Sequence, residues 1–165
     1  MPSDDRFPGE PHWILREIRS ELERHPIVTA TQGHPSSTFV EIRATLAPER
    51  WGRNAEDSTL RVTWQPIDPL EFSFHYSDAA FDCGWHHEPN PHVEGSAHYQ
   101  ERSDGDYEYE AVTFEGETPT ELVWEVMERL RRRLQDRPGS EWNPVASLAR
   151  WSQRPAARKR ADRSR

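Results

Sequence analysis

The stretch FDCGWHHEPNPHVEGSAHYQER, residues 81–102, holds four of the chain's eight histidines, its only cysteine and two prolines that bracket an asparagine. Imidazole changes charge near neutral pH and is also a common metal ligand. Three readings follow from these residue types. In the first, some of His86, His87, His92 and His98 hold a metal, with Asp82, Cys83 and Glu88 nearby. The spacing contains no pair of C-x2-C units and no H-E-x-x-H helix, so no metal is assigned from it. In the second, the imidazoles do metal-independent acid–base chemistry on RNA. One takes the ribose 2′-OH proton, an acid protonates the leaving 5′-oxygen, and a cation stabilises the charged phosphorus. His75, His87, His92, His98 and Arg102 are the candidate catalytic residues, with Tyr99 or Glu88 assisting. In the third, the histidines only hydrogen-bond backbone in a polar loop that Trp85 anchors in the core.

Some constraints are local. His86 and His87 are adjacent, so on an extended chain they point opposite ways and only one can join a given site. Pro89-Asn90-Pro91 restricts the backbone of the loop. Cys83 reads as a small buried residue, with nucleophilic use beside His86 or His87 a weaker option. Glycine-rich phosphate loops and G-x-S-x-G elbows are absent, and no cofactor is expected.

These side chains need elements to hold them. Residues 12–24 predict a helix, with Ile14, Ile18 and Leu22 on one stripe and Pro26 just beyond. Strands are expected over 27–32, 38–46, 59–65, 71–77, 97–102 and 107–114, where apolar and polar residues alternate. In the fourth of these, Phe72, Phe74 and Tyr76 share one face, and His75 points to the other. The link 103–106, with Gly105, reads as a polar turn between the last two strands. Thr118, Pro119 and Glu121 form a capping box with proline at the first helical position, opening a helix over 119–135. Val123, Val126, Met127, Leu130 and Leu134 are its apolar stripe. The expected fold is α+β: an antiparallel sheet of five to six strands with an N-terminal and a C-terminal helix packed on one face. In that arrangement His75 and His98 lie on neighbouring strands of the open face.

Composition sets the boundaries. Residues 1–10 read as a disordered N-terminus, 11–138 as the single domain and 139–165 as a basic, flexible tail. The first 138 residues carry 14 arginines against 27 acidic residues, and the last 27 carry seven basic against two acidic. An acidic domain disfavours duplex binding by its whole surface, whereas the tail can touch nucleic acid or an acidic partner. Lysine occurs once, against 20 arginines, a bias of GC-rich genomes that also suits a halophile. One cysteine cannot form an internal disulfide. There is no signal peptide pattern and no apolar run long enough to span a membrane, so a cytoplasmic location is expected.

The run FSFHYSDAAFDCGWHHEPNPH, then AHYQER, then EGETPTELVWEVMERL, resembles the TumE-like toxin components of prokaryotic toxin–antitoxin pairs, in their haloarchaeal branch. The resemblance covers roughly residues 38–134. It implies a two-gene module whose partner, the cognate antitoxin, is a small helix-turn-helix DNA-binding protein. It does not itself supply an activity, and the segment after 138 has no counterpart. The alternatives to an RNA-directed toxin are a non-enzymatic interaction protein that binds such a regulatory partner, or a metal-binding protein.

Overall fold

The computed structural model describes residues 11–34, 40–65 and 70–137. The expected N-terminal disorder and basic tail lie outside these residues. The chain opens with α1 (Pro11–Arg24), runs through seven strands, and closes with α2 (Pro119–Asp136). The strands are β1 (Val28–His34), β2 (Glu41–Leu46), β3 (Thr59–Gln65), β4 (Glu71–Ser77), β5 (Asp82–His87), β6 (Ala97–Ser103) and β7 (Asp106–Ala111). They lie in one sheet in sequence order, each antiparallel to the next. The fold is the expected α+β sheet with two helices, with one strand more than the expected five to six.

Period-two alternation explains the layers. Ile42, Ala44 and Leu46 of β2, Leu60, Val62 and Trp64 of β3, and Phe72, Phe74 and Tyr76 of β4 all turn to one face. Cys83 and Trp85 of β5 and Tyr99 of β6 continue that face. The stripe of α1, now including Leu15, and the stripe of α2 cover it and close a single core. Full burial of each such side chain stabilises the fold by about 1.5–3 kcal/mol. The capping box forms as written in the sequence: Thr118 Oγ1 accepts from Glu121 N at 3.2 Å, and the Glu121 carboxylate accepts from Thr118 N at 3.1 Å.

The added strand, β5, falls where the sequence reads as a loop. Asp78 makes the corner: its N–H donates to Phe81 O at 2.8 Å, and its carboxylate accepts from Ala80 N at 2.7 Å. This hairpin puts DCGWHH between β4 and β6, so His75 and His98 are two strands apart rather than neighbours. At the 103–106 turn, Asp104 and Gly105 both take positive φ, 50° and 92°. Among the described residues no helix is long and apolar enough to cross a membrane.

Candidate functional site

The face of the sheet away from the helices is polar, and its register sets side chains into rows. One row crosses the sheet as Arg43, Arg61, His75, Gly84, Gln100 and Tyr109. The next runs Thr63, Ser73, His86, His98 and Ala111. The phase follows from Trp85, which is 2% exposed in the core and therefore turns Gly84 and His86 outward.

His75, His86 and His98 pack together there. The rings of His75 and His86 are 5.7 Å apart at 73°, and those of His86 and His98 lie 5.2 Å apart and nearly parallel. Gly84 makes room for them. A Cβ on Gly84 would stand 2.7 Å from both His75 Nδ1 and His86 Nε2. Those two nitrogens thus face one point above the strand.

Each ring has a distinct environment. His75 Nε2 lies 2.6 Å from Asp82 Oδ1, and the Tyr107 hydroxyl donates to that same oxygen at 3.0 Å. With its proton on Nε2, His75 keeps the Nδ1 lone pair free over Gly84. His98 is fully buried under the loop that follows β5. Its Nδ1 donates to Ser96 O at 3.1 Å, and its Nε2 accepts from Asn90 Nδ2 at 3.2 Å. This orientation of Asn90 follows from His92 N donating to Asn90 Oδ1 at 2.8 Å. His86 is the outlier. It is only 8% exposed, and neither ring nitrogen has a hydrogen-bond partner. Glu88 Oε1 lies 3.2 Å from Nδ1, off the line a hydrogen bond needs. Burial first, then the neighbouring His75, His98 and Arg61, push its pKa down to about 3. His86 is therefore a neutral imidazole at physiological pH.

Of the five residues expected from sequence, the structure brings His75 and His98 into this cluster. His92 is exposed at its rim, stacked on Tyr109 at 4.9 Å. Arg102 sits on the same face near the β6–β7 turn, 6.0 Å over the Tyr107 ring. His87 does not join them. It faces the helix side, stacked on Phe72 at 5.4 Å with Nδ1 donating to Leu70 O at 2.7 Å. His86 takes the place expected of His87, because the neighbouring Trp85 fixes which of the pair turns outward. Tyr99 also lies on the core side, where its hydroxyl donates to Glu101 at 2.6 Å and burial raises its pKa. Burial likewise raises the Cys83 thiol to about 12, which leaves it no thiolate for nucleophilic work. Sequence reasoning missed Asp82 as the partner of His75, Gly84 as the gap between rings, and Arg61 as the cation beside them. The signal for Asp82 was the Asp78 corner, which pairs the end of β4 with the start of β5.

The fold and face define an α+β protein with a seven-stranded meander and a buried histidine cluster on its polar side. No protein-family model, curated protein or solved structure matches the chain.

Proposed function

We propose that this chain is the cytoplasmic toxin component of a toxin–antitoxin pair, of TumE-like type, and that it acts on RNA at the histidine face of its sheet. The observation that carries the reading is His75. Its Nε2 is held by Asp82 at 2.6 Å while Nδ1 faces the gap over Gly84. A carboxylate that fixes the tautomer of an imidazole and stabilises its protonated form is the arrangement of a general base. The run that carries the TumE-like resemblance is also the run that builds this face, from β4 through the loop into β6. Its polar make-up supports chemistry over docking: the large apolar side chains exposed among the described residues, Trp13, Val40 and Trp124, lie elsewhere.

In this reading His75 Nδ1 takes the ribose 2′-OH proton. The 2′-oxygen then bonds to phosphorus as the bond to the 5′-oxygen breaks. The 5′-oxygen leaves with a proton from water, giving a 2′,3′-cyclic phosphate and a 5′-hydroxyl. Arg61, paired with His75 across β3 and β4, faces the negative charge that builds on phosphorus. His92 is not the acid of the same step. Three strand spacings separate His75 from Tyr109, roughly 14 Å at about 4.8 Å each. The His92–Tyr109 stack instead offers a platform for a neighbouring base. The partner is the cognate helix-turn-helix antitoxin.

Purified chain incubated with total RNA tests this. Cleavage products ending in cyclic phosphate are expected, with a loss of about a hundredfold or more for His75→Gln. Intact RNA in the wild-type reaction, or equal cleavage by His75→Gln, would sink the proposal and favour a non-enzymatic interaction protein.

A further inference from the structure

His86 presents a chemical problem that the RNA reading leaves unsolved. A neutral imidazole has one donor and one acceptor, and here both are buried without partners. Leaving a buried donor and acceptor unpaired forfeits their hydration with nothing in return. The ring lies between those of His75 and His98, at 5.7 and 5.2 Å.

Two potential ligands stand beside it, one of them, Glu88, next to Nδ1. His86, Glu88 and His98 each offer a ligand atom, and the three atoms lie within 4.8 Å of one another. Two ligands on one zinc-class ion, at about 2.0–2.1 Å from it and at tetrahedral angles, stand roughly 3.3 Å apart. Glu88 Oε1 and His86 Nδ1 already meet that spacing, at 3.2 Å. The position of the carboxylate beside the nitrogen, off any hydrogen-bond line, is where a second ligand of a shared ion sits. The set needs a closure of about 1.5 Å at most to reach tetrahedral spacing. Glu88, whose side chain is 43% exposed at the end of β5, is the one of the three with most room to move.

His98 is prepared for the same task. A ligating histidine commonly donates its other N–H to a backbone carbonyl or carboxylate, which fixes the ring and its tautomer. His98 does this through Nδ1 to Ser96 O, leaving the Nε2 lone pair outward. Asn90 Nδ2 now sits on that lone pair at 3.2 Å, and it is the one group an ion displaces. On the far side of His86, Nε2 faces His75 Nδ1 across the gap over Gly84. An ion at Nδ1 therefore places the His86 proton on Nε2.

We infer that His86, Glu88 and His98 form a binding site for one zinc-class divalent transition-metal ion, with a fourth coordination position left for water or a substrate oxygen. Two imidazoles and one carboxylate suit Zn2+ among such ions, and an open position is the mark of a catalytic rather than a structural zinc. The inference stands on the geometry of these three residues and not on the RNA reading. Zinc binding without RNA cleavage leaves it intact, and zinc-independent cleavage leaves the reading of His75 intact.

The test uses the full, tag-free chain stripped with EDTA and reloaded with Zn2+ or Co2+. One equivalent of zinc retained through gel filtration is expected, together with the intense visible bands of four-coordinate cobalt. Glu88→Gln, a change at a half-exposed side chain that leaves the core alone, should weaken binding by at least about tenfold in competition with a chelator. His34→Asn, which removes an imidazole on β1, should leave binding unchanged. Far-UV circular dichroism checks that each variant is folded. Sub-stoichiometric zinc in the wild type, or equal affinity in Glu88→Gln, would overturn the assignment.

Discussion

Gly84→Ala tests the central geometry of the face more directly than removing any histidine. In an ordinary strand this change is favourable, because alanine has fewer unfolded conformations to lose; the gain is about 0.4–1 kcal/mol. Here the new methyl meets His75 Nδ1 and His86 Nε2 at 2.7 Å and the Phe74 carbonyl at 3.0 Å. The carbonyl is backbone in the middle of the sheet and does not retreat. His75 is tied to Asp82 at 2.6 Å, and His86 is held between two rings. Forcing a methyl into a packed site costs about 1–3 kcal/mol. The overpacking outweighs the entropy gain, and a net loss of about 1–2 kcal/mol is expected.

Urea denaturation measures it, with a fall in Tm of roughly 4–8 °C as a second readout. A double-mutant cycle then assigns the cause. In a His86→Ala background the methyl has room, so the cost of Gly84→Ala should shrink by about 1 kcal/mol or more. A neutral or stabilising Gly84→Ala would refute the close approach of the two rings. An unchanged cost in the His86→Ala background would place the clash elsewhere.

Three further outcomes follow from other parts of the fold. Thr118→Ala removes the acceptor for Glu121 N and half of the capping box, and should lower stability by about 1 kcal/mol, read by denaturant midpoint. Trp85→Ala empties the core under β5 and should cost about 3–5 kcal/mol; a loss below 1 kcal/mol would contradict the burial of this ring. Burial beside Trp51 and Trp124 holds the His25 pKa below its ordinary value. The unfolded chain then binds a proton at His25 before the folded chain does. This contribution to stability is complete above the ordinary histidine pKa and is lost as pH falls below it. Between pH 7 and 5 the urea midpoint should fall less in His25→Gln than in the wild type.

The helices were legible in the sequence because their determinants are local. Thr118, Pro119 and Glu121 cap α2 within four residues, and its stripe repeats on the chain's own period. Most strands were legible for the same reason: one apolar face alternates with one polar face. β5 breaks that pattern because it is buried on both sides. Cys83 and Trp85 face the helices, while Gly84 and His86 lie under the histidine cluster and the loop. DCGWHH therefore shows no alternation, and its length alone does not separate strand from loop.

The missing strand carried the error into the site. Alternation places a side chain on a face, but pairing decides its neighbours, and pairing is not a local property. With β5 absent, His75 and His98 become neighbours. With β5 present, Gly84 separates His75 from Gln100, and His86 becomes the partner of His98. One local signal could have chosen between His86 and His87. A tryptophan next to two histidines goes to the core whenever a strand is available, and that sends the first histidine outward and the second inward. His86 is also a buried residue whose ring nitrogens have no hydrogen-bond partner, so the choice that the sequence left open decides which imidazole enters the cluster.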